Sequence, residues 1–150
     1  MKNLYNPEDL AALNSRIAQL QPDSQRQWGK MSVAQALAHC SLGMQTATGE
    51  LHPPGKLIGR ILGPLIKPKV VQDDQPMRRN SPTIPEIIVH NEPDFATEQI
   101  RLMHLLDQFN AAGPQGCTSH PHAFFGPMTP DEWAILTYKH IDHHLRQFGV

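Results

Sequence analysis

The sequence predicts an all-α protein, a bundle of four helices with one long proline-rich connection between the second and the third. Three observations carry that expectation. Apolar residues recur at intervals of three and four in separate stretches, several of those stretches open on a recognisable cap, and none alternates with the period of two that a half-buried strand needs. The chain has no internal repeat, and its 150 residues are the length of one ordinary domain, so a single domain over 1–150 is expected.

The first helix starts after Asn6, because asparagine caps free N–H groups, Pro7 suits the first turn, and Glu8 and Asp9 suit the positive end of the helix dipole. Leu10, Leu13, Ile17 and Leu20 give it one buried stripe, and Pro22 with Asp23 ends it. The second helix starts at Ser32 and places Val33, Leu37, Cys40 and Met44 on one face. It carries His39, flanked on its strip by the small residues Ala36 and Gly43, so the imidazole projects where a cavity can form.

Residues 51–92 hold seven of the fourteen prolines. Within them only "GKLIGRILGPLI" is apolar enough for a short helix, which Pro64 is expected to kink or stop. Its Gly-x-x-x-Gly spacing and the basic Lys56, Arg60, Lys67 and Lys69 fit a membrane-surface helix, but a short helix capping the bundle is the commoner outcome. The third helix opens at Asp94, with Ile100, Met103, Leu106 and Asn110 on one line and Leu102, Leu105 and Phe109 beside it, and Gly113-Pro114 stops it. The fourth opens on "TPDE" at Thr129, where a threonine cap, a proline in the first turn and Glu132 at the capping-box position coincide. A connection as long as 51–92 lets the second and third helices run parallel.

Composition narrows the functional classes. A net charge of −1 lacks the excess of Lys and Arg that a phosphate backbone demands, so nucleic acid is not an expected partner. Cys40 and Cys117 form no C-x-x-C pair and no disulfide framework, and the N-terminus has no apolar signal segment. No apolar run approaches the roughly 20 residues of a membrane span, so a cytoplasmic protein is expected. There is no H-E-x-x-H, paired Glu-x-x-His, P-loop or G-x-S-x-G.

Histidine is the outlier: nine copies, five of them in the last 31 residues. Steps of about 100° put His140 and His144 only about 40° apart on the fourth helix. They share a strip with Trp133, Leu136 and Thr137, which turns them inward. Glu132, Lys139, Asp142 and Arg146 mark the opposite, wet side, with His143 leaning toward it. Two imidazoles at i and i+4 grip a divalent ion but leave it under-coordinated, and His39, on the other helix with an inward histidine, is the candidate third ligand. His104 sits beside Arg101 and Gln108 on an outer face, His52 and His90 lie in the connection, and His120 and His122 lie in a loop able to cover the mouth of a site. Cys40 is expected to be core filler.

Three stretches in order, "WGKMSVAQALAHC" at 28–40, "FFGPMTPDEW" at 124–133 and "HIDHH" at 140–144, resemble the DinB-like superfamily of four-helix-bundle metalloproteins, in particular an uncharacterised branch. The resemblance runs from Trp28 to the end and is weakest through the connection. It implies an up-down-down-up bundle and metal ligands at His39, His140 and His144. It also implies a divalent ion, zinc or nickel, with open positions for water or substrate. The leading expectation is a transferase that uses a low-molecular-weight thiol as nucleophile toward a small-molecule electrophile, with His143, His120 or His122 as candidates for moving protons. Beside it stand a metal-dependent hydrolase and a non-catalytic bundle that binds metal or a partner protein. A homodimer through a bundle face fits any of the three.

Overall fold

The structure, a computed structural model, describes residues 1–150 and contains helices and turns without a strand. Five α-helices follow in order: α1 (Pro7–Gln19), α2 (Val33–Thr48), α3 (Leu57–Val71), α4 (Phe95–Ala112) and α5 (Pro130–Gln147). Short 3-10 turns occupy Pro85–Ile87 and Gly113–Gly116. The caps form as their residue types dictate. Asn6 and Asp94 accept from Glu8 N–H and Thr97 N–H, and Ser32 with Gln35 and Thr129 with Glu132 complete two capping boxes.

α2 packs against α4 and α5, and α1 against the same pair. Leu13 and Ile17 of α1, Leu37, Cys40 and Met44 of α2, Leu102, Leu106 and Phe109 of α4, and Ile141 and Leu145 of α5 interlock in one cluster. Tyr5 stacks on Phe109 at 5.4 Å between ring centroids. One expected line departs from this. Ile100 is 69 % exposed, and the buried stripe of α4 is Leu102, Leu105, Leu106 and Phe109. With α1 and α2 both lying along α4, the stripe between them wins, and Asn110 on the expected line instead donates to the Leu4 carbonyl at 2.7 Å.

The connection departs further. Pro64 does not stop its helix: α3 runs on to Val71 with Pro64 and Pro68 both inside it. Each proline removes one backbone bond and leaves a carbonyl four residues earlier, here Arg60 and Pro64, without its donor. All of these positions are exposed, so water serves those carbonyls. The buried side of α3 is made of Gly59, Gly63 and Val71. A Cβ on Gly59 would stand 2.5 Å from the Phe124 carbonyl oxygen, and one on Gly63 would strike the same atom, so the Gly-x-x-x-Gly spacing seats α3 directly on the 122–126 turn. Lys67 bonds the Pro127 carbonyl and pairs with Glu132, each at 2.8 Å. Leu57, Ile58, Ile61 and Leu65 face outward and are exposed.

The side of α5 expected to be wet is partly covered, with Arg146 exposed as expected. Lys139 and Asp142 are buried. The Lys139 ammonium donates to the carbonyls of Val70 at 2.9 Å and Asp73 at 2.6 Å, so it holds the end of α3. Asp142 takes Arg16 from α1 at 2.6 Å and Arg146 at 2.7 Å. Periodicity identified these as one polar face, and α1 and the connection close over it. No helix is long and apolar enough to cross a membrane.

Replacing Gly63 by valine is expected to lower the unfolding free energy by about 1–3 kcal/mol through overpacking. Ile61→Gln, at a position 68 % exposed, is expected to stay within about 0.5 kcal/mol of the parent. Urea midpoints at constant slope check both, and a neutral Gly63→Val would contradict the seating of α3.

Candidate metal centre

α2 supplies His39, and α5 supplies His140 and His144 one turn apart. One ring nitrogen from each lies within 4.8 Å of the others, close enough that the three could hold a metal ion. The rings meet edge to face, with centroids 4.8, 4.9 and 5.0 Å apart. Gly43 makes the arrangement possible. A Cβ there would lie 3.0 Å from His140 Nδ1, so any larger residue on this turn of α2 would press the ring out of place.

Outer hydrogen bonds decide which nitrogens face inward. His39 Nδ1 stands 2.7 Å from the Ile87 carbonyl, which can only accept, so the proton sits on Nδ1 and the Nε2 lone pair turns to the centre. His144 Nδ1 stands 2.8 Å from Gln147 Oε1. The Gln147 amide nitrogen donates to the Trp28 carbonyl at 2.8 Å, which fixes the amide so that its oxygen accepts from His144 and frees that Nε2 as well. His39 Nε2 and His140 Nε2 are 2.9 Å apart. That is about the separation of two nitrogens at right angles on one ion with bonds of about 2.0–2.1 Å. Two nitrogens on such an ion stand at most about 4.2 Å apart, so loading requires small inward ring rotations in the widest pair.

Burial is the largest influence on all three, and it disfavours the imidazolium. It pushes His144 down to about 3, with the His39 and His143 rings adding to the effect and Gln147 opposing it. It pushes His140 well below the ordinary range, reinforced by His39, His144, His143 and His122. It lowers His39 too, against the opposing Ile87 carbonyl. All three are therefore neutral at pH 7, the state in which imidazole ligates. No carboxylate belongs to the cluster.

The remaining predicted histidines do not belong to it. His143 turns its ring edge to Trp28 at 5.8 Å and lines a cavity of about 480 Å³ with Met77, Arg79 and Arg146. Arg79 lies over the Trp28 ring at 4.0 Å. Burial lowers His143, with the Met77 carbonyl opposing. His120 stacks on His52 at 3.9 Å. Both line a second cavity, of about 140 Å³, with His122, Thr46 and Trp133. His104 and His90 are exposed, and Cys40 is core filler whose thiol burial pushes up.

Sequence reasoning missed the outer partners. Gln147 carried a signal, three residues after His144 on the same helix. The Ile87 carbonyl carried none, because every residue has one.

A Gln147→Met variant is expected to bind zinc about 10–100-fold more weakly, since the His144 ring loses its anchor. Titration against a chromophoric chelator reads this, and unchanged affinity would remove Gln147 from the site. His122 Nδ1 accepts from Phe124 N–H and Phe125 N–H, both at 3.1 Å, and burial holds the ring down to about 4, against 6.5 when free. Above pH 6.5 it is neutral folded and unfolded and contributes nothing. As pH falls from 6.5 toward 4 the unfolded chain binds a proton that the folded chain does not, and stability is lost. His122→Asn keeps an acceptor for the turn, and it is expected to flatten the acid limb of a stability-versus-pH curve by up to about 1.4 kcal/mol per pH unit in that window.

The model of one protein family matches residues 2–149, and its description is a protein of unknown function (DUF1569). No curated protein and no solved structure matches the chain.

Proposed function

The chain belongs to that family of unknown function, DUF1569, so membership brings no activity with it, and we propose from its own geometry that it is a metal-dependent transferase using a low-molecular-weight thiol. The observation that carries this reading is the neutral triad of His39, His140 and His144, with the Nε2 lone pairs of His39 and His144 turned inward and no acid among the three. On this reading α1, α2, α4 and α5 form an up-down-down-up bundle of the DinB-like kind. Residues 1–150 are one domain, with the connection and α3 laid along its side.

A divalent ion in the triad, zinc or nickel, would keep its full positive charge and lower the pKa of a thiol in an open position so that it reacts as thiolate near neutrality. The chain's own part is to orient and to handle protons. Ile87 and Gln147 hold two of the rings at fixed angles. His143, neutral at pH 7 and beside His144 at 5.1 Å between centroids, would accept the thiol proton. The cavity it lines presents Arg79, whose guanidinium suits the carboxylate of a small thiol. A hydrolase would use the same His143 as its base, and what favours a thiol over water is Arg79 in the cavity that His143 lines.

Elemental analysis is expected to find about one ion per chain, lost in His39→Ala, His140→Ala and His144→Ala. The loaded protein is then expected to conjugate at least one common cellular thiol to a chromogenic electrophile, with His143→Gln slowing turnover by about 10²-fold or more while leaving metal content intact. A parent that takes up neither zinc nor nickel would end the metal reading. Thiol-independent ester turnover abolished by chelator would replace the transferase with a hydrolase.

A further inference from the structure

Of the nine large apolar side chains that the fold leaves exposed, six stand on α3, and the metal centre uses none of them. Leu57, Ile58, Ile61 and Leu65 are between 60 and 74 % exposed, with Leu62 and Ile66 less so. Apolar side chains scattered singly over a surface are ordinary. Six on consecutive turns of one helix form a contiguous patch, and such patches mark sites of interaction.

Helix geometry frames the patch. Gly59 and Gly63 seat α3 on the Phe124 carbonyl, and Ile61, two residues from each, points about 160° away from both. Leu57, Ile58, Pro64, Leu65 and Pro68 fall within about 60° of Ile61, so the outward face is apolar across about a third of the helix. Arg60 stands on one flank and Lys69 on the other, about 100° and 80° round from Ile61. Both are exposed and pair with no acid, whereas Lys56 and Lys67 turn to Glu86 and Glu132. Residues 51–72 contain no Asp or Glu, and Asp73 and Asp74 beyond the helix end lie beside Lys139.

An apolar face between unpaired cations is complementary to an anionic lipid surface, where acyl chains take the face and phosphates take the flanks. A second copy of the chain suits it less. Pairing α3 with α3 would gather the Arg60 and Lys69 charges of both copies at one contact. Pro64 and Pro68 also leave the Arg60 and Pro64 carbonyls without helical donors, and a dry interface would bury them unsatisfied. At the depth of lipid headgroups water still reaches them. No helix is long and apolar enough to cross a membrane, so contact with lipid would run along the surface.

We propose that the outer face of α3 docks on an anionic lipid surface, with Leu57, Ile58, Ile61 and Leu65 entering the boundary between headgroups and acyl chains and Arg60 and Lys69 meeting the phosphates. The surface needs neither metal nor turnover to act.

The test is flotation of the full chain with vesicles of phosphatidylglycerol and phosphatidylcholine in equal parts, against vesicles of phosphatidylcholine alone. The chain is expected to float with the anionic vesicles and to bind the neutral ones at least about fivefold more weakly, since each cation near the surface adds to the attraction. Joint replacement Ile61→Gln and Leu65→Gln is expected to weaken binding at least about tenfold with an unchanged circular dichroism spectrum, because both side chains are exposed in the fold and buried only by lipid. Joint replacement Arg60→Gln and Lys69→Gln is expected to abolish the preference for anionic vesicles. A parent that floats with neither vesicle overturns the proposal, and so does binding that survives loss of Ile61 and Leu65. Equal binding to neutral vesicles overturns the assignment to an anionic surface. Sedimentation equilibrium without lipid is expected to find a monomer, and a dimer that Ile61→Gln dissociates would make this face an interface between copies and overturn the lipid reading.

Discussion

Three imidazoles brought nitrogen to nitrogen inside a helical bundle cannot be charged together, and this constraint organises the molecule around them. Each protonation would place a cation in a poorly solvated space already facing two polar rings. Two of the rings meet the constraint by directing protons outward. His39 gives its Nδ1–H to a main-chain carbonyl and His144 gives its own to a glutamine, so their inner nitrogens carry lone pairs, and His140 Nε2–H donates to that of His39 at 2.9 Å. The cluster these rings make has no cation of its own and could hold a metal ion.

The long connection supplies part of the support for this arrangement. It supplies the Ile87 carbonyl to His39, the Val70 and Asp73 carbonyls to Lys139, and the Met77 and Arg79 wall beside His143. It is fastened by close backbone contact, with Gly59 and Gly63 letting α3 lie on the Phe124 carbonyl, and by the side chains of Lys67 and Lys139. Prolines that would break an interior helix are tolerated in α3 because they lie on its solvent side. A segment rich in proline thus folds as a cover without needing a large apolar core of its own.

α5 carries opposite electrostatics on its two sides. Toward α2 it shows uncharged rings, and toward α1 and the end of α3 it shows Lys139 and Asp142, the latter between Arg16 and Arg146. Separating the two keeps formal charge away from the triad. Arg16 also donates to a main-chain oxygen of Val150 at 2.8 Å. Pairs with partly exposed arginines add less to net stability than their number suggests, but losing both would leave the buried Asp142 charge stranded.

The sequence alone determined that the chain is helical, where four of its helices begin, and that His39, His140 and His144 could meet. Those features follow from local rules: caps act within one turn, and a period of 3.6 decides which residues share a side of one helix. Tertiary structure decided the rest. Lys139 and Asp142 form one polar face, as the spacing says, but whether that face meets water depends on α1 and the connection, which no periodicity within α5 encodes. Ile100 lost its place in the core because two neighbours together choose the buried stripe of α4. The outer partners of the triad arise between residues 48 positions apart, in Ile87 with His39, and 119 apart, in Gln147 with Trp28. A main-chain carbonyl is the same group at every position in a sequence, so only the folded chain can say which one a histidine will find.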